Sequence, residues 1–455
     1  MRRWRHSALV HAGGLLIFLS LVNHFPWAQS VAKSAAPASA STYDRDLARY
    51  QRYHVRLYDL LKRIVRPTLK SFESGGIKYQ LPLSAKDAVI EGCSEDELAY
   101  LSGFFDGDGC VLLTKAGTFH LKTRQSLKGV DVCLRSRRAF GGGIYYSTDG
   151  CGFRQPVVSW ELAGTRAKEA ATLLARHSYT KEAQLRVAMN GTVAKDNRSQ
   201  VQHRLKDLKA AKPVSQNSSV TWAYLAGLFD AEGYVQVPPD RNSICLHIKQ
   251  KYDEILHVLV SFLEDEGLNR LNSFKIYHVG NVFLLQCSRT NVSMQTLQQL
   301  LLHGLSLKRD QAQSALQLNA TNRWEVRETL FQLSGQQNRY KRLDRHGMET
   351  AAKIHQLQAN VRCCQDQIES KLLNKELQLL KEEHELQKLK YNCSLMSFDI
   401  RRMLNEGAHF RPLESKKATC ISEVQQICTN RSLRHSDIMW YHLTSLQPPF
   451  GPFPL

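Results

Sequence analysis

The chain has 455 residues, of which 43% are hydrophobic, and a formal net charge of +19. That length suits two or three domains with a sizeable core, and the basic excess favours a polyanionic partner, nucleic acid before an anionic membrane surface. The 11 cysteines contain no C-x-x-C pair, so a zinc site has no support and the thiols read as reduced and structural.

In chain order, residues 1–43 carry no Asp or Glu, and "MRRWRH" precedes a short apolar run, Gly13–Val22, and an Ala/Ser-rich stretch. This pattern predicts a cleaved targeting leader and an organellar destination, plastid or mitochondrion. The run is too short to span a bilayer and no other segment reads as transmembrane, so no membrane partner is expected of the mature chain. Residues 44–93 form a basic extension with interleaved tyrosines.

The next region repeats itself. "AYLSGFFDGDGCV" begins at Ala99 and "AYLAGLFDAEGYV" at Ala223. Each apolar helix is followed by two β-rich runs, a helix, a second hairpin pattern and further helix. This predicts an α+β fold of two pseudo-symmetric αββαββα units, 94–204 and 220–330, joined by an exposed tether at 205–219. Ser94 and Glu97 form a capping box at the first helix.

The spacing repeats as well. Asp108 precedes Gln125 and Lys181 as Glu232 precedes Gln250 and Lys308, with separations of 17 and 73 residues against 18 and 76. Small residues recur every fourth position, at Ala99, Gly103 and Gly107 and at Ala223, Gly227 and Ala231. Such stripes let two backbones approach closely. The two helices should therefore pack side by side and parallel, which would bring Asp108 and Glu232 together. Carboxylates at adjoining helix C-termini are electrostatically unfavourable and call for a positive partner. A hard divalent cation fits, with the carbonyls of Gly107 and Ala231 as further ligands and Gly109 and Gly233 ending the helices. Asp106 and Asp230 lie earlier and read as internal caps.

"LSGFFDGDG" (Leu101–Gly109) and "LAGLFDAEG" (Leu225–Gly233) resemble the signature of the LAGLIDADG homing endonucleases in their single-chain, two-motif form. The resemblance covers residues 94–330. It implies that the two signature helices, through Gly103, Gly107, Gly227 and Ala231, form the interface between the halves, and that two sheets make a DNA-binding saddle. Asp108 and Glu232 would bind Mg²⁺, with Mn²⁺ as a substitute. Lys181 and Lys308 would support the reacting water or the developing charge, and Gln125 and Gln250 would orient water. Lys115, His120, Lys122 and Arg124 on one hairpin, and Gln236, Arg241, His247 and Lys249 on the other, are the candidate base readers. The implied activity is site-specific double-stranded DNA cleavage by a monomeric core, with no small-molecule substrate. An organellar intron maturase acting on RNA is the alternative, favoured by the leader. Residues 331–455 predict a helical extension, a hairpin or weak coiled coil with apolar positions 354, 357, 361, 364, 368, 372, 379 and 386, ending in a disordered tail.

Overall fold

The computed structural model describes residues 40–148, 150–213, 220–268, 272–334, 340 and 343–411. Most of the expected targeting leader, up to residue 39, and the expected disordered tail, within the residues from 412 on, lie outside the described residues.

The chain divides into two compact units. One joins the chain up to Leu57 with Thr350–Ser394. It contains most of helix α1 (Ala40–Arg63), where Tyr43 Oη donates to the Glu382 carbonyl at 2.6 Å and Leu57 is fully buried.

The other unit holds Tyr58–Glu349 and the chain from Leu395. Short strand β1 (Ile64–Val65) and hairpin β2 (Ser71–Ser74)–β3 (Ile77–Gln80) precede the repeat. The first half is α2 (Glu95–Asp108), β4 (Gly109–Leu113), β5 (Phe119–Ser126), α3 (Val130–Phe140), β6 (Gly143–Thr148), β7 (Val157–Ala163), α4 (Thr165–Ala175) and α5 (Glu182–Ala188). Helix α6 (Arg198–Ala210) follows, so residues 205–210, expected in the tether, are helical. The second half is α7 (Trp222–Glu232), β8 (Gly233–Gln236), β9 (Cys245–Gln250), α8 (Glu254–Asp265), β10 (Phe274–Val279), β11 (Val282–Cys287), α9 (Thr290–Leu302) and α10 (Arg309–Leu316). Then come α11 (Arg323–Leu333), α12 (Arg345–Cys363), α13 (Gln367–Asn405) and β12 (His409–Phe410), which pairs with β1.

The two four-stranded antiparallel sheets have matching orders, β4-β5-β7-β6 and β8-β9-β11-β10. Alternation gives each an apolar inner face: Val111, Leu121, Val158, Trp160 and Leu162 in the first, Leu246, Ile248 and Leu285 in the second. Helices α2 and α7 are apolar nearly all round and buried, as a central pair must be.

Their contact explains the small stripe. A Cβ on Gly103 would collide with the Tyr224 carbonyl, one on Gly227 with the Tyr100 carbonyl, and one on Gly107 with the Ala231 methyl. Position 103 therefore meets 224, and 107 meets 231, so the helices run parallel and end together.

Along α12 the expected apolar seam is the covered one, with Ile354 buried and positions 357, 361 and 364 half-buried, but along α13 it is not. Ile368, Leu372 and Leu379 are exposed at 74, 65 and 57%, while Leu377, Cys393, Met396, Ile400 and Met403 are buried. A 3-4 spacing selects a face only relative to its neighbours, and here the packed face of α13 is the other one.

Candidate functional site

Each signature helix ends on a carboxylate that points away from the core, two residues past one that is buried in it. Asp106 is 4% exposed and Asp230 fully buried. Asp106 accepts the N–H groups of Tyr179 at 2.5 Å, Thr180 at 2.9 Å and Lys181 at 3.0 Å, and the Ser178 hydroxyl. Asp230 does the same for Ser306 at 2.7 Å, Leu307 at 3.1 Å and Lys308 at 2.8 Å. Both thus gather the free amides ahead of α5 and α10, as internal caps. A tyrosine from the opposite half completes each: Tyr224 Oη donates to Asp106 at 2.7 Å and Tyr100 Oη to Asp230 at 2.6 Å. These two bonds cross the interface reciprocally. Sequence reasoning missed the tyrosines, although "AYL" opens both signature helices.

Asp108 and Glu232 are the last residues of α2 and α7. Asp108 is exposed in area yet crowded by protein, the combination a recess produces, and burial is the largest cause pushing its carboxyl above the usual range. Burial raises Glu232 as well, and the charge of Asp108 raises it further. The two carboxylates are therefore close enough to repel, as the parallel helix pair requires.

The register places Gln125 and Gln250 equivalently. Gly109 pairs with Thr123 and Gly233 with Ile248, and each glutamine stands two residues further along its strand. They differ in bonding. Gln125 Nε2 donates to Asp108 Oδ2 at 2.6 Å, whereas Gln250 Nε2 is buried without a hydrogen-bond partner.

The lysines are also equivalent, at the starts of α5 and α10. Their ammonium groups, however, bind the exposed ends of the signature helices. Lys181 Nζ donates to the carbonyls of Phe105 at 2.8 Å, Asp106 at 2.6 Å and Gly107 at 2.9 Å. Lys308 Nζ donates to Phe229 at 2.9 Å and to the Asp230 carbonyl. Burial depresses both ammonium pKa values, offset in part by Asp106 for Lys181 and by Asp230 for Lys308. Each lysine thus places positive charge on the negative end of a helix dipole. The Gly107 carbonyl, expected as a metal ligand, already accepts from Lys181. The capping glycines hold another surprise: Gly109 and Gly233 are extended, at φ −76° and −79°, and not left-handed. They are glycine because a Cβ would strike the rings of Phe105 and Phe229.

The donor set fits a hard divalent cation. It consists of oxygens, and its two acids lack a dedicated cationic partner, because each lysine is engaged by carbonyls. Among the described residues no group of three or more His, Cys, Asp or Glu is placed to hold a metal. Two carboxylates with phosphate and water as remaining ligands suit Mg²⁺.

Among candidate base readers, Lys115, Arg124, Gln236, Arg241 and Lys249 are exposed. His120 and Lys122 are half-buried on the outward face of β5. His247 is 5% exposed, its ring stacked on Tyr234 at 4.3 Å between centroids, and burial lowers its pKa to about 4. It lies on the outward-facing side of its strand but is covered, so it does not present its nitrogens to solvent.

Residues 219–271 match the family described as LAGLIDADG-like domain. No curated protein matches the chain. Among solved structures, the meganuclease I-AabMI bound to uncleaved DNA is 15% identical, with 51% of this chain and 98% of that one covered and a TM-score of 0.38. The meganuclease I-SmaMI bound to uncleaveable DNA is 11% identical, with 55% and 97% covered and a TM-score of 0.36. The homing endonuclease I-LtrWI bound to target DNA is 13% identical, with 54% and 97% covered and a TM-score of 0.30.

Proposed function

We propose that the chain, which matches a LAGLIDADG-like domain over residues 219–271, is a site-specific double-stranded DNA endonuclease, dependent on Mg²⁺ or, in its place, Mn²⁺. The observation that carries this is the pair Asp108 and Glu232, brought together at the exposed ends of two parallel helices with both carboxyls raised. A structural role is filled by Asp106 and Asp230, so the outer acids have no fold duty that would explain them.

Asp108 and Glu232 would hold the cation. Bound there, it would supply an activated water and charge stabilisation at a scissile phosphate. Gln125 fixes the Asp108 carboxylate by its hydrogen bond. Lys181 and Lys308 act as positioning residues: they hold the helix ends, and hence the acids, in place. The duplicated architecture provides one half for each DNA strand, and cutting is staggered. The two outward sheet faces would lie in the major groove and read a long site. The net charge of +19 favours the polyanion electrostatically. The acid-free N-terminal segment supports delivery to an organelle.

The test is to incubate the full chain with Mg²⁺ and a randomised double-stranded library, and to sequence new ends. Staggered cuts within one long motif are expected. No cutting with Mg²⁺ or Mn²⁺, together with tight binding to an organellar intron RNA, would instead establish the splicing factor.

A further inference from the structure

The outward face of the first sheet is crossed by rows of register partners. These are Leu112–His120–Ala163, Cys110–Lys122–Glu161–Gly143 and Arg124–Ser159–Tyr145. The inner face is fixed by Val158, Trp160 and Leu162, all nearly fully buried, so alternation places Ser159, Glu161 and Ala163 on the opposite face, where Ser159 is itself fully covered by its neighbours. Within these rows Glu161 is the sole carboxylate.

Glu161 is not loosely placed. Its Oε1 accepts from the Ser159 hydroxyl at 2.8 Å and from Lys122 Nζ in a short hydrogen bond. The ion pair is partly desolvated, with 17% and 29% of the two side chains exposed. Burial opposes ionisation of Glu161, but the hydrogen bonds from Lys122 and Ser159 prevail and hold its carboxyl below the ordinary range. At neutral pH Glu161 is therefore a carboxylate, side by side with Lys122 on the neighbouring strand.

A surface that only grips phosphates gains nothing from a carboxylate, which repels them and cancels the attraction of the lysine beside it. A base edge is different. In the major groove a carboxylate accepts from the N4 amine of cytosine, and a lysine donates to O6 and N7 of guanine. In a G·C pair these groups are neighbours. We infer that Lys122 and Glu161 form a single base-pair reader, the ammonium taking guanine and the carboxylate taking the paired cytosine. Glu161 is then a specificity-determining residue, and it prevents Lys122 from binding phosphate indiscriminately. This inference rests on the proposed endonuclease, because it requires the sheet to lie in a DNA major groove.

The experiment is a binding selection with the full chain on randomised duplexes in Ca²⁺, read by sequencing the bound fraction. Wild type, Glu161→Gln and Lys122→Met run in parallel, and thermal melting checks that each variant folds. Wild type should select G·C at one position in the first half-site. Glu161→Gln keeps the shape but can donate as well as accept, and should lower that preference about tenfold while other positions hold. Lys122→Met should change the same position. An unchanged profile in both folded variants, or uniform weakening at all positions, overturns the inference and leaves a structural ion pair. A wild type that selects no duplex sequence overturns the endonuclease reading itself, and this reader with it.

Discussion

Asp106 accepts five hydrogen bonds from Ser178, Tyr179, Thr180, Lys181 and Tyr224, while Asp108 accepts from Gln125 and otherwise faces outward. Burial and bonding separate a structural acid from an outward-facing one, two positions apart on one helix. Asp106→Ala strands three half-buried amides, the buried Ser178 hydroxyl and a buried phenol, and should cost about 3–5 kcal/mol in urea unfolding. The outer acids should behave oppositely. Both have folded-state pKa values above their ordinary ones, so their stabilising contribution is present at low pH and lost as pH rises through the raised values. Asp108→Asn with Glu232→Gln should therefore raise the melting temperature of the metal-free protein at pH 8. The gain should shrink toward pH 4, as the wild-type acids take up protons on the way down through their raised values. An equal shift at both pH values would disprove mutual repulsion and burial as its cause.

The duplicated helices were legible in the sequence because the constraint on them is local in pattern: small residues four apart, a terminal acid and a glycine. The close approach bears this out, and Gly103→Ala or Gly227→Ala should be destabilising by at least about 1–3 kcal/mol in denaturant titration, since backbone and not a flexible side chain stands in the way. The roles of the lysines were less legible. Matched spacing showed that Lys181 and Lys308 serve equivalent places, but not that their ammonium groups bind helix-end carbonyls, because three-dimensional proximity decides the partner. The same limit hid Tyr100 and Tyr224, whose acceptors lie 130 and 118 residues away. In α13 the apolar spacing at 368, 372 and 379 misled, since a helical stripe tells which residues share a face but not which face is covered.

The two halves share a skeleton and differ in surface. The first sheet presents Lys122, Arg124 and Glu161 outward with exposed Leu112, whereas the second presents Leu284, exposed Tyr277 and Val279, Gln286, Lys249 and Lys275, and no carboxylate among its described residues. The two faces thus offer different groups to base edges. The preferred target should therefore be non-palindromic, as sequencing of selected duplexes would reveal. A palindromic consensus would contradict the contribution of these faces. On the proposed reading, the phosphodiester would be cut at the adjoining helix ends bearing Asp108 and Glu232. On a duplex selected by the wild type, the Asp108→Asn/Glu232→Gln variant should bind with undiminished affinity in Ca²⁺ and leave both strands intact in Mg²⁺, under conditions where the wild type cuts them. Cutting by the double variant at the wild-type rate would place the chemistry elsewhere.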